Sequence, residues 1–355
     1  MEDSGFSLKG LFKKVIFWSI IGLFVYYVVI HFGDIENIAK VLHRGNWKIL
    51  LIAGVLQLLA FIFVGDIFKI LSKMRGAAWS SIRYTKDWFA TLFLGVVNPL
   101  GSTGANFYLV NRIKNLPKIK TASSIIILIL SVLTMNSIFF FIACAGAFLI
   151  YIKNTALFSA FIVACGFLAL LNGIFLFIVL VSAKRPLLLK VLFFRLKYIV
   201  SKVIGIKEGS WLDLDEDSLE IHLHEFGVTS KIFEDESRRG GILSAVLRSL
   251  LMHLCQIGVL VTVFWAFGAH PGLMSIISIY SVLFLFTIIS PTPQGIGVVE
   301  GFAQLAMVPF GIDKSLGLVV TLAYRAINLW IPVAIGFVVF RMNGVEVQVK
   351  TSVDQ

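Results

Sequence analysis

The chain has 355 residues, of which 58% are hydrophobic and 14% charged, with a mean hydropathy of +0.92. Such a composition excludes an ordinary soluble domain and requires lipid as solvent. The formal charge of +11 sits beside apolar runs rather than on one soluble face, so it reads as loop bias and not as a nucleic-acid footprint.

In chain order, Lys9, Lys13 and Lys14 precede an apolar run over 15–32 with no small-residue cleavage pattern after it, which predicts a retained first span. Further full spans are expected at 47–67, 121–151, 156–181, 242–267 and 315–340, six in all. Cys144, Cys165 and Cys255 fall inside apolar runs without CxxC spacing and are expected as packing residues. Between the halves, Lys184 to Ile204 has the length and charge of an interfacial helix, and 207–236 is acidic. His222, His224 and Glu225 form a short string without partner residues, so no metal site is expected.

Two apolar segments are interrupted. The segment 88–110 is cut by Asn98, Pro99, Gly101, Ser102 and Gly104, and 273–308 by Ser290, Pro291, Pro293, Gly295 and Gly297. Proline removes a backbone donor and glycine weakens a helix, so each cut leaves peptide groups that protein or a watery cavity must satisfy. The first segment has about ten apolar residues before its break, roughly 15 Å of helix, which predicts a re-entrant hairpin rather than a crossing. Its flanks agree, with Lys69, Lys73, Arg75, Arg83 and Lys86 before it and Arg112, Lys114, Lys118 and Lys120 after it.

The expected fold is therefore an all-α polytopic membrane protein with six full transmembrane helices plus two broken helical hairpins. Its parts are an N-terminal transmembrane half (1–182), a cytoplasmic linker (183–240), a C-terminal half (241–341) and a cytoplasmic tail (342–355). With both termini cytoplasmic, the two halves run in opposite senses and form inverted repeats, an arrangement in which transporters place a site between broken helices.

The stretch from Ser290 to Gly301 is the most informative. A half-helix starting near Gly295, with Gly297 and Gln294 beside it, would turn free N–H groups and a positive dipole end toward a phosphate. Glu300 in that half-helix is costly at membrane depth unless paired, and Arg325 in the last span is the candidate partner, with Tyr324 and Asn328 on the same span. Arg325 meeting a lipid phosphate directly and a purely structural ion pair are both open. In the first break Asn98, Ser102, Thr103, Asn106 and Tyr108 offer neutral donors and acceptors, while Arg112 suits either headgroup capture or interfacial anchoring. His253 and Gln256 share a helix face, with hydrogen bonding between helices as their default role.

The string Pro291 to Gly301, followed by the Tyr324-Arg325 span with Trp330, Pro332 and Gly336, resembles the lysylphosphatidylglycerol synthase transmembrane (flippase-like) family over roughly residues 10–340. The resemblance implies translocation of an anionic or aminoacylated phospholipid, or of a glycolipid, and implies site roles for Glu300 and Arg325. Gln294 departs from the usual Pro-Gly-Gly-Ile-Gly, and Gly104, Ala105 and Tyr108 stand where the family commonly has Gly-Glu followed by Arg. No counterpart of the soluble aminoacyl-transfer domain is expected, with about fifteen residues following the last span.

The expected function is a lipid flippase or scramblase of a bacterial or archaeal cytoplasmic membrane, with membrane lipids bearing anionic phosphate headgroups as partners. No cofactor is expected, and no ATP-binding string occurs. An intramembrane lipid-headgroup transferase, with Glu300 or His253 as base, is the enzymatic alternative. A non-transporting scaffold for an envelope-lipid synthase is the third, and a homo-oligomer is compatible with each.

Overall fold

The computed structural model describes residues 43–97, 101–153, 155–184, 188, 225–229, 239–290 and 292–353. Every regular element among them is helical. Five helices are long and apolar enough to cross a membrane: Trp47–Lys73 (α1), Thr121–Lys153 (α4), Thr155–Lys184 (α5), Arg239–Ala266 (α6), and the composite helix that begins at Lys314. They coincide with five of the six expected spans. The sixth, 15–32, lies outside the described residues, as do nearly all of 184–204 and 207–236.

Helices α1 and α6 form the central antiparallel pair. The Asn46 N–H donates to Ala266 O at 2.9 Å at one end, and Arg248 reaches Asp66 at 3.3 Å at the other. Asn46 also caps α1 by accepting from the Lys48 N–H. On the outer face, α5 leaves Val163, Leu170 and Phe177 exposed, as a helix facing acyl chains would. Cys165 and Cys255 are half-buried and pack against the core, as expected of packing residues, whereas Cys144 is exposed.

Both interrupted segments are helix–break–helix units whose two arms pack on each other. The first consists of Ser81–Val97 (α2) and Gly101–Ile113 (α3). The second consists of Leu273–Ile289 (α7), a 3₁₀ turn at Pro293–Gly295 and Val298–Met307 (α8), with Phe286 and Phe302 stacked 3.7 Å apart across it. The first arm is longer than the ten residues expected. Arg83 and Lys86 belong to the helix, which has 17 residues and so extends about 26 Å.

The second break is built by its backbone. Gln294, Gly295 and Gly297 all have left-handed φ, at 52°, 72° and 84°. At Gly295 a Cβ would also lie 2.6 Å from Val299 and 3.0 Å from the Thr287 Cα, so the close approach of the two arms depends on its absence.

The halves pack reciprocally. Helix α2 packs on the last helix of the second half, and α7 packs on α4, the span that follows the first broken segment. Each crossing is closed by a glycine with no room for a side chain: a Cβ on Gly336 would lie 2.0 Å from Phe89 O, and one on Gly146 would lie 2.4 Å from Ser281 Oγ. Phe89 and Ser281 are each the ninth residue of their 17-residue helices.

The last span departs from the uninterrupted helix expected. It runs Lys314–Arg325 (α9), a π-helical turn at Ala326–Trp330, and Ile331–Val353 (α10). Pro332 has no N–H for Asn328 O, and the Ile331 N–H goes back five residues to Ala326 O. Helix α10 continues through the stretch expected as a separate tail from 342.

Candidate functional site

Arg325 is the most buried charge of the second half, 2% exposed. Its Nε donates to Glu300 Oε1 at 2.9 Å and its Nη2 to Gln294 O at 2.8 Å, while Glu300 Oε2 accepts from the Gly297 N–H at 2.7 Å. One carboxylate thus caps α8 and holds the guanidinium at the start of the π turn. The left-handed turn at Gln294 aims its carbonyl at the same guanidinium. A guanidinium carries five N–H groups, and its bonds among the described residues use two of them.

This arrangement corrects one expectation. Helix α8 starts at Val298, three residues beyond Gly295, because the Gly295 N–H donates to Thr292 O at 3.1 Å within the turn. With the Gly297 N–H held by Glu300, the dipole end is already served by a carboxylate of the chain itself.

The first hairpin contains a second buried ion pair, and the sequence reasoning missed half of it. Asp87 on α2, 1% exposed, accepts from Arg112 Nε at 3.0 Å and from the Tyr108 hydroxyl at 3.3 Å. Arg112 also lies over the Trp79 ring at 5.5 Å, and Arg83 lies closer at 4.2 Å. Arg112 and Tyr108 are therefore tied inside the hairpin, with Asp87 supplying the carboxylate that the Gly104-Ala105 string lacks. The available signal was an acidic residue within a strongly basic flank.

A cavity of about 260 Å³ lies between the two units. Asn106 reaches it from α3, Thr287 and Gln294 from the second hairpin, and Tyr324, Arg325 and Asn328 from the last span. Trp88 and Leu92 of α2 and Phe284 of α7 add apolar wall, and Gln256 and Asn136 complete its polar lining. The Asn328 amide donates to the Tyr324 hydroxyl at 3.3 Å. Of the expected site residues, Asn106, Gln256, Gln294, Tyr324, Arg325 and Asn328 are thus brought to one cavity. Glu300, Gly295 and Gly297 stand behind Arg325, and His253 stands behind Gln256. Asn98 lies outside the described residues, and Ser102 and Thr103 are described only as part of the α3 backbone.

The second half of this site carries the segment singled out in the sequence, and similarity extends far beyond it. Residues 16–336 match the family described as lysylphosphatidylglycerol synthase TM region. The chain belongs to that family. It is an integral membrane protein. It is similar to the UPF0104 membrane protein MJ1595 of Methanocaldococcus jannaschii, 22% identical over 335 residues that cover 92% of this chain and 94% of the relative. It is likewise similar to the UPF0104 membrane protein PH1989 of Pyrococcus horikoshii, 22% identical over 327 residues, 91% of this chain and 96% of the relative. No solved structure matches. Gln294 takes a left-handed φ, which a non-glycine residue can adopt at modest cost, and its contribution to the site is made by its main-chain carbonyl.

Proposed function

We propose that this protein is a lipid flippase or scramblase in which the phosphate of a membrane lipid headgroup binds Arg325 inside the cavity between the two broken segments. The observation that carries the proposal is a nearly buried guanidinium lining a largely apolar cavity that also holds Asn106, Asn136, Gln256 and Asn328, with walls from both halves. A volume of about 260 Å³ admits a headgroup and leaves no space for a whole lipid, since pockets for drug-sized ligands begin at about 300 Å³. The acyl chains would stay in the bilayer while the headgroup crosses.

Each broken segment acts as a re-entrant hairpin, and the two halves act as inverted repeats. The reciprocal packing of α2 on the last span and of α7 on α4, each at a glycine, supports this. Rocking of these crossings would open the cavity to one leaflet and then the other. Both termini are taken to face the cytoplasm, on the strength of the basic flanks of the first hairpin. The family resemblance favours an anionic or aminoacylated phospholipid, or a glycolipid.

Purified protein in proteoliposomes containing fluorescent phospholipids should move the label between leaflets faster than empty vesicles do. Arg325→Ala should remove most of the gain. Translocation equal to that of empty vesicles across several headgroups would overturn the proposal.

A further inference from the structure

Gln256 lines the same cavity as Arg325, and one side of its amide is engaged. As placed, its Oε1 lies 2.7 Å from the Tyr280 hydroxyl, and that hydroxyl lies 2.7 Å from His253 Nδ1. His253 Nε2 lies 3.0 Å from Met135 O on α4. The histidine and the tyrosine are fully buried, with the rings of Phe139 and Phe284 against the imidazole. The other end of the Gln256 amide makes no hydrogen bond among the described residues.

Counting protons along this chain assigns the amide. A main-chain carbonyl only accepts, so Nε2 must carry a proton and donate to Met135 O. No carboxylate contacts the ring among the described residues, and an imidazolium buried without a counter-ion is expensive, so the ring is neutral and Nδ1 is a bare acceptor. The single proton of Tyr280 must then point at Nδ1. With its proton spent, the Tyr280 oxygen can only accept from Gln256, and an amide oxygen 2.7 Å away would set lone pair against lone pair. A half turn about the last side-chain torsion puts the NH₂ group there instead and turns the carbonyl oxygen toward the cavity.

We propose that Gln256 is a specificity-determining residue. Locked by Tyr280 and His253, it presents a fixed carbonyl acceptor to the cavity and selects headgroups that carry a hydrogen-bond donor, a hydroxyl or an ammonium, beside the phosphate. The inference rests on the headgroup site proposed above and adds a second recognition point to it. Arg325 supplies donors to the anion, and Gln256 supplies the acceptor that a simple alkyl phosphodiester cannot use. A buried acceptor left unpaired discriminates more strongly than a lost contact does, by roughly tenfold or more.

The test is equilibrium lipid binding to the full chain in detergent, read by displacement of a fluorescent phospholipid, which does not depend on translocation. Two pairs of lipids matched in charge would be compared: phosphatidylglycerol against phosphatidylmethanol, and phosphatidylethanolamine against phosphatidylcholine. The donor-bearing member of at least one pair should bind about tenfold more tightly. The pair that discriminates identifies a hydroxyl or an ammonium as the source. Gln256→Met and Tyr280→Phe should each bring that ratio close to one. Equal binding within both pairs in the wild type would overturn the proposal, as would a ratio that survives both substitutions. Nitrogen-15 NMR of histidine-labelled wild-type protein gives an independent check. His253 should show a protonated Nε2 and a bare Nδ1, and an imidazolium signal or a protonated Nδ1 in a neutral ring would contradict the assignment. Lipid that binds with this selectivity but does not cross would count against translocation alone.

Discussion

At the scale of single residues, the site depends on charges that satisfy each other away from water. Breaking a buried ion pair from one side leaves the other charge uncompensated, at a cost of about 3–5 kcal/mol. Glu300→Ala removes both the Arg325 partner and the cap on α8, so the apparent Tm of detergent-solubilised protein should fall clearly. Glu300→Gln keeps an acceptor for Arg325 and should fall less. Asp87→Ala should behave like Glu300→Ala, because Arg112 and the Tyr108 hydroxyl both rely on Asp87. A thermal scan that places Asp87→Ala at wild-type stability would show that this pair is dispensable. The contrast between the two carboxylates also explains what the sequence could convey. Glu300 stands alone in an apolar run, so membrane energetics alone demanded a partner and pointed to Arg325. Asp87 follows Lys86 in a basic flank and looks like an ordinary loop charge, since nothing in the linear pattern says that α2 begins six residues before it.

At the scale of elements, the second hairpin and the last span are shaped by backbone exceptions. Gly295 combines a left-handed φ with two contacts at or below 3.0 Å for an added Cβ, so Gly295→Ala should push α7 and α8 apart and lower both thermal stability and translocation. Pro332→Ala should separate those two readouts. The substitution restores an N–H for Asn328 O and removes the penalty of proline inside a helix, so stability should hold or rise. The π turn that presents Arg325 and Asn328 to the cavity would lose its cause, and translocation should drop. A Pro332→Ala protein with full activity would mean that the π turn is incidental. The positions of both breaks were legible, because proline and glycine interrupt a helix wherever they cluster. The π turn was not, since one proline after a long apolar run is compatible with a simple kink and its hydrogen bonds depend on local packing.

At the scale of the whole molecule, two halves with little residue similarity meet at corresponding points. Phe89 and Ser281, at the same position in equal-length helices, each receive a glycine from the span that follows the broken segment of the opposite half. The five described spans follow from hydropathy. Their reciprocal packing does not, because which helix approaches which is decided by shape at Gly146 and Gly336, and single glycines carry no partner label. The cavity lies between the two broken segments, and it gathers side chains from seven helices, the π turn and the second break. A high-resolution map of the protein in lipid nanodiscs tests the central claim most directly. The account predicts phosphate-sized density within hydrogen-bonding distance of the Arg325 guanidinium, inside the cavity between the hairpins. A cavity filled by acyl chain, or by a protein side chain that takes up the remaining Arg325 donors, would contradict it.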